Sequence, residues 1–231
     1  MTASTLPRYN IYEAIHKGLR ARMGQVLVAV GQVDVDDEDD VHGVVVQLRM
    51  LLEMMRGHLA AENAFVHAAM EARAPGSSAA IADEHVHHEH DMSELEAACN
   101  ALLRAPAAHR QAIADHAYAQ LDRFVRDNLA HMRYEETEHN ATLWSVYADD
   151  EIRAIERELV GSIPPEKKLH YIASMFPALP TRERARLLDG IRASAPAEAY
   201  AVIEATVLPL LDDAPRARLA RARAAAPAEA V

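Results

Sequence analysis

Apolar residues recur at intervals of three and four along four long segments of the chain, which is the spacing of an amphipathic α-helix. In the first segment, for example, the apolar positions are Tyr12, Ile15, Leu19, Met23, Val26 and Val30. Polar or helix-breaking stretches separate the segments, at 34–40, 74–78 and 105–106. The pattern predicts four helices, over about 8–32, 40–72, 79–104 and 108–148.

Short connections between long helices make neighbouring helices antiparallel, so the simplest packing is an up-down-up-down four-helix bundle. A shorter fifth helix is predicted over 149–160, before the boundary signal Ser162-Ile163-Pro164-Pro165. Beyond it lie three short helical patterns, over about 166–176, 181–193 and 197–211. The sequence thus predicts an all-α protein with a bundle at 8–160, a small C-terminal helical appendage at 166–212 and a disordered, Ala/Arg-rich tail at 213–231.

Composition agrees with an all-helical fold, since the 231 residues include only 8 Gly and 5 % aromatic residues. The formal charge of −11 argues against a nucleic-acid surface and against docking on anionic lipid. No apolar run reaches the roughly 18 residues that span a bilayer. The single cysteine, Cys99, excludes an internal disulfide. We therefore expect a cytoplasmic protein that binds neither nucleic acid nor membranes.

Ligand-type side chains interrupt the apolar stripes of all four long helices. The second and fourth helices each carry His-x-x-x-Glu, a spacing that places both side chains on one face, one turn apart. In the second helix the same stripe continues to Phe65 and Ala69. The side chains on the inward stripes are His16, His58, Glu62, His85, His131 and Glu135.

An ionised carboxylate in an apolar interior costs several kcal/mol unless it is compensated, and these stripes offer no Lys or Arg. A pair of metal ions would compensate all six groups together, and imidazole with carboxylate suits iron, manganese or zinc. One such histidine, or one His-x-x-x-Glu, is common by chance in a helical chain rich in Glu. The ordered set over four successive stripes is not, and it favours a two-metal site.

With this ordered set, the chain resembles the hemerythrin-like, or HHE, family over about Tyr9 to Tyr147. The resemblance implies a four-helix bundle around a non-haem centre of two iron ions, with manganese as an alternative. It implies that His16 and His58 are terminal ligands of one ion, His85 and His131 of the other. Glu62 and Glu135 would bridge the ions. An oxo or hydroxo bridge and an open position for dioxygen complete such sites.

The sequence departs from this family at two places, the third helix and His139. Oxygen-carrying hemerythrins have His-x-x-x-His on the third helix, whereas Glu89 stands four residues after His85 here. We expect Glu89 as a further ligand, with His88 as the alternative. His139, one turn beyond Glu135, is expected near the metals or an access channel, and core packing explains it equally well. Glu136 is an alternative bridge, although Glu135 has the better helical phase.

These features predict a di-iron protein that binds or reacts with dioxygen, peroxide or nitric oxide. An enzyme would be a di-iron oxidoreductase or oxygenase; a reversible oxygen carrier or a sensor would use the same site. The appendage offers a surface for a small-molecule substrate or a protein partner. The alternative from another class is a metal-free helical interaction protein, and a structural zinc bundle is a weaker third reading.

Overall fold

The computed structural model describes residues 8–225, all of whose regular elements are helical. Four long helical segments carry the site. We number them α1 to α4 and treat the π-helical turns within α2 and α4 as parts of those helices. Their bounds are α1, Glu13–Gly31; α2, Glu38–Ala61 with a π turn at Glu62–His67 and an α-helical end at Ala68–Arg73; α3, Ala79–Arg104; and α4, Ala107–Tyr134 with a π turn at Glu135–His139 and an α-helical end at Asn140–Val146.

Capping residues explain where α2 begins. The carboxylate of Asp37 accepts hydrogen bonds from the backbone N–H groups of Asp39 and Asp40, which satisfies two otherwise unpaired donors of the first turn. Its negative charge also lies at the positive end of the helix dipole. The acidic connection at 34–40 is therefore a helix start, as its composition indicates.

The first helix begins later than the pattern predicts, at Glu13 rather than Arg8. Residues 8–12 instead run along the last part of α4. The Trp144 indole N–H donates to the carbonyl of Tyr9 at 2.7 Å, and the Tyr9 N–H donates to Asp149 at 3.1 Å. The Tyr9 carbonyl, which a helix starting at Arg8 would use as an acceptor, is thus bound by Trp144 instead.

The π turn of α2 changes which side chains are buried after Glu62. The α-helical pattern predicts Phe65 and Ala69 on the buried face, but the structure buries Val66 and Met70 instead, each at 1 % exposure or less. An α-helix turns about 100° per residue, so a π turn, which accommodates one additional residue, moves the buried face on by one position. The prediction for this stretch is corrected accordingly.

The C-terminal part begins with α5, Asp149–Ser162, which packs its buried Ile152 against Ile11, Val66 and Leu143. The chain divides into two compact units after α5: residues 8–16 and 20–162 form the first, and residues 17–19 and 163–225 the second. Among the described residues, no helix is long and apolar enough to cross a bilayer.

The second unit has its own small core, which brings together Phe176, Leu188, Val207, Leu211 and Leu219. Its helices are α6, Pro165–Met175; α7, Thr181–Ser194; α8, Ala197–Val207; and α9, Asp213–Ala225, with short 3-10 turns at Phe176–Ala178 and Leu208–Leu210. The predicted disordered tail is thus helical over 213–225, because burial of Leu219 at 1 % exposure anchors that segment. The remaining tail, 226–231, lies outside the described residues.

Truncating this anchor tests whether α9 belongs to the appendage core. We expect Leu219→Ala to lower the free energy of unfolding of the second unit by about 2–5 kcal/mol, since a buried leucine loses its transfer energy and leaves a cavity. Hydrogen–deuterium exchange in the full chain should show faster exchange over 163–225. Leu210→Ala, at a leucine that is 48 % exposed, is the matched control and should change little. Unchanged exchange in both variants would contradict this packing.

The connection after α2 yields a pH prediction. The Glu71 carboxylate accepts from the Gly76 N–H at 2.6 Å and from the N–H and hydroxyl of Ser78 at 3.0 and 2.7 Å. These bonds, that from Gly76 foremost, lower the pKa of Glu71 to about 2 from 4.5. Because the folded pKa lies below the unfolded one, the carboxylate stabilises the fold above about pH 4.5, and this contribution disappears as the pH falls towards 2.

We therefore expect Glu71→Gln to melt below the wild-type chain near neutral pH, with a difference that shrinks as the pH approaches 2. Melting of metal-free protein should be followed by circular dichroism, so that loss of metal from histidines does not contribute. Glu158→Gln, at an exposed carboxylate of α5, is the control. A difference that is constant with pH would show that the Glu71 charge has no role.

Candidate metal centre

The inward stripes of α1 to α4 bring their ligand-type side chains to one buried layer. All six side chains that the sequence places inward are at most 7 % exposed, and both carboxylates are at most 2 % exposed. By helix, they are His16 from α1, His58 and Glu62 from α2, His85 from α3, and His131 and Glu135 from α4.

Glu62 faces two sets of histidines with its two oxygens. Its Oε1 lies 3.1 Å from Nε2 of His58 and 3.8 Å from Nε2 of His16. Its Oε2 lies 3.7 Å from Nε2 of His85. The carboxylate thus spans the space between His16 and His58 on one side and His85 of α3 on the other.

Glu135 repeats this arrangement from the opposite helix. Its Oε2 lies 3.4 Å from Nε2 of His16, and its Oε1 lies 3.4 Å from Nε2 of His131. The Nε2 atoms of His85 and His131 are 3.1 Å apart.

Two groups of potential ligand atoms result, each with all its atoms within 4.8 Å of one another. We call them the first and second subsites. Both contain one oxygen from each carboxylate; the first adds His16 and His58, and the second adds His85 and His131. A carboxylate with one oxygen in each subsite is the arrangement that bridges two cations.

The polar atoms of this layer are not satisfied by the protein itself. Within residues 8–225, both oxygens of Glu62 and of Glu135 and the Nε2 atoms of His16 and His58 are buried without a hydrogen-bond partner. Buried polar groups are normally paired, and an unpaired buried charge is far more costly than an unpaired neutral group. A donor set of imidazole nitrogens and carboxylate oxygens fits iron, manganese or zinc, so the residues present suit such a group.

Burial shifts the pKa values of this layer in opposite directions. Burial, then the neighbouring His16, lowers the pKa of His58 to about 3. Burial and the adjacent Glu135 carboxylate raise the pKa of Glu62. Burial alone would favour neutral His131, but the Glu135 carboxylate 3.4 Å away and the nearby negative charges raise its pKa to about 9. Glu62 and His131 thus both bind a proton more readily in this layer than in water.

Hydrogen bonds from outside the layer orient three of the histidines. Nδ1–H of His16 donates to Glu136 at 3.0 Å, and Arg20 also binds that carboxylate. Nδ1–H of His85 donates to Asn63 at 2.8 Å, and Nδ1–H of His131 donates to Glu84 at 2.8 Å. Such acceptors fix the tautomer that leaves the Nε2 lone pair towards a metal.

Glu136 accordingly contacts His16 from outside, and the structure brings Glu135, not Glu136, to the centre. The structure also corrects the position expected for Glu89. The Glu89 side chain is 52 % exposed and lies 3.6 Å from Arg56. Since α3 has no π turn, its buried stripe runs through His85, His88 and Met92, and position 89 falls outside it.

His88 is buried at 4 % exposure and its ring lies 4.8 Å from that of His131, on the outer side of the second subsite. It shares a group of ligand-type atoms with Glu84 and His131, not with Glu62 or Glu135. Of the two alternative residues, His88 is buried and Glu89 is not. Neither residue belongs to either of the two subsites.

An open cleft of about 380 Å³ lies beside the second subsite. His88 and His131 line its wall towards the protein interior. Acidic side chains surround it, namely Glu84, Asp91 and Asp127, and Tyr134 lies on its α4 side. The cleft offers cations and small molecules a route to His131.

Sequence reasoning missed His67 and the outer partners Asn63 and Glu84. His67 is the last residue of the π turn of α2 and is 5 % exposed, as His139 is the last residue of the π turn of α4 and is 1 % exposed. Burial lowers the pKa of both imidazoles, that of His139 to about 4. The only signal for His67 in the sequence is that it follows a His-x-x-x-Glu motif, as His139 also does.

A model of the hemerythrin HHE cation-binding domain matches residues 8–141, which is more than half of the chain. The chain belongs to the hemerythrin HHE cation-binding family. The matched region contains all four long helices up to the π turn of α4, and therefore every ligand of both subsites. Comparison with curated proteins and with solved structures gives no match. The HHE domain is thus a helical, metal-binding type of domain whose buried His/Glu groups could hold a metal.

The outer hydrogen bonds of the HHE domain can be tested at Asn63. We expect Asn63→Ala to weaken metal binding about 10–100-fold, because His85 loses the acceptor that orients its ring. Asn63→Asp keeps an acceptor and should bind at least as tightly as the wild-type chain. Competition with a chromophoric chelator measures both affinities. Equal affinities for the alanine variant and the wild type would exclude an orienting role for Asn63.

Proposed function

We propose that this HHE domain holds two iron ions and binds or reacts with dioxygen, peroxide or nitric oxide. The observation that supports the proposal is the arrangement of Glu62 and Glu135, each with one oxygen towards each histidine pair. We further propose that α1 to α4 form an up-down-up-down four-helix bundle around this layer, since ligands from all four helices converge on it.

In this proposal His16 and His58 would hold one ion, His85 and His131 would hold the other, and Glu62 and Glu135 would contribute to both. Iron in such a site supplies redox chemistry towards small oxygen or nitrogen species. The chain's own contribution is to keep the ligands oriented through Glu136, Asn63 and Glu84.

The cleft beside His131 gives the proposed reactant its route. Because His131 lines the cleft, a small molecule would approach the layer from the side of the second subsite. The Nε2 atom of His88 is buried without a hydrogen-bond partner among the described residues, and His88 lines this route. His88 is therefore a suitable hydrogen-bonding group for a small polar ligand.

A double variant, Glu62→Gln with Glu135→Gln, tests this function. From iron-replete cells we expect at least two iron ions per wild-type chain and little or none in the variant, because neutral amides are poor iron ligands. After anaerobic reduction, only the wild-type chain should take up dioxygen, as measured with an oxygen electrode. Dioxygen that is released again indicates a carrier or sensor, whereas its consumption indicates an oxidoreductase.

Melting of the metal-free proteins controls for misfolding in this experiment. The metal-free variant should melt at or above the metal-free wild type, since Gln in place of a buried carboxylate needs no charge compensation. Iron should raise the melting temperature of the wild type alone. A wild-type chain without iron, or with the same melting temperature after chelation, would favour the metal-free helical interaction protein instead.

A further inference from the structure

Two histidines outside the proposed dinuclear site are buried beside it. His67 and His139 close the π turns of α2 and α4, which begin at Glu62 and Glu135. Their rings meet edge to face, with centroids 5.3 Å apart. A second histidine pair thus faces the layer: His67 through the additional residue of its π turn, and His139 one helical turn after Glu135.

The free nitrogens of this pair have no protein partner. In the part of the chain that the structure describes, the Nε2 atoms of His67 and His139 are both buried and without a hydrogen bond. One ligand atom each from His67, His139 and Glu135 lies within 4.8 Å of the other two. Three potential donors of the kind that bind transition metals thus converge on one small volume.

The other sides of both rings are occupied. The His67 ring stacks on that of His85 with a centroid distance of 5.0 Å. Nδ1 of His139 lies 3.2 Å from the hydroxyl of Tyr12, which is 2 % exposed. With Nδ1–H donating to this hydroxyl, the Nε2 lone pair of His139 points to the shared volume. Tyr12 would then orient His139 as Glu84 orients His131.

We propose that His67, His139 and an oxygen of Glu135 form a third subsite for a divalent transition-metal ion. Two imidazoles and one carboxylate, with a free position, suit Zn²⁺, Fe²⁺ or Mn²⁺. This inference rests on the proposed function, because Glu135 is shared with the dinuclear site. The chain would then hold three cations rather than two.

The test is the Zn²⁺ stoichiometry of the full chain after equilibrium dialysis against ZnCl₂. We expect three ions per wild-type chain and two in the double variant His67→Asn with His139→Asn. The matched control, His42→Asn with His116→Asn, removes two exposed histidines from the same helices and should keep three ions.

The outcomes separate this inference from the proposed function. Two ions in both the wild type and the His67/His139 variant would overturn the third subsite and leave the dinuclear site intact, with the pair as hydrogen-bond donors. Three ions in both would also overturn the third subsite, whereas none in the wild type would overturn both proposals.

If the double variant fails to fold, a measurement on the wild-type chain still tests the third subsite. Anomalous scattering at the zinc edge from wild-type crystals should show a third peak about 2.0–2.1 Å from a nitrogen of His67 and of His139. Only two peaks, both between Glu62 and Glu135, would refute the third subsite.

Discussion

The structure depends on how the first unit compensates two carboxylates that it removes from water. Glu62 and Glu135 are 2 % and 0 % exposed, and an isolated ionised carboxylate at such depth costs several kcal/mol. Neither can be compensated from its own helix alone, because their oxygens face histidines of α1, α3 and both parent helices. The polar layer therefore requires that all four helices keep their relative rotation, whereas the apolar contacts around it constrain rotation less.

The two π turns of the first unit lie at the two buried carboxylates. Each begins at a buried carboxylate and ends at a buried histidine, in Glu62–His67 and Glu135–His139. A π turn is rare, occurs mostly as a single turn within an α-helix, and is frequent at functional sites. In α2 it brings His67, five residues after Glu62, to the layer, where an uninterrupted α-helix would present a different residue. His139 follows Glu135 by four residues, so regular helical spacing already places it on the inner face.

The same turns decide what the sequence could reveal. His58 and His131 lie in regular helix before the turns, so the 3.6-residue period suffices to place them. The period fails for His67, whose burial follows from a backbone irregularity that no residue pattern marks. The helical period also misplaces Glu89. Its spacing from His85 is helical, but the buried stripe of α3 passes through His88 instead. In the second unit, α9 has little apolar periodicity, and its order comes from neighbours of Leu219 that only tertiary packing supplies.

The protonation of the layer explains how it can form before any cation binds. Burial lowers the pKa of His16, but Glu136 and the two buried carboxylates outweigh this effect and raise it. The pKa of His131 is raised in the same way, by Glu135 and Glu84. In both, Nδ1–H already donates to an outer carboxylate, Glu136 or Glu84, whether the ring is neutral or charged. A cation at the proposed site would have to displace only an Nε2 proton, with the ring orientation unchanged. The outer hydrogen bonds would then hold the same geometry with and without the cation, and cation binding would release protons.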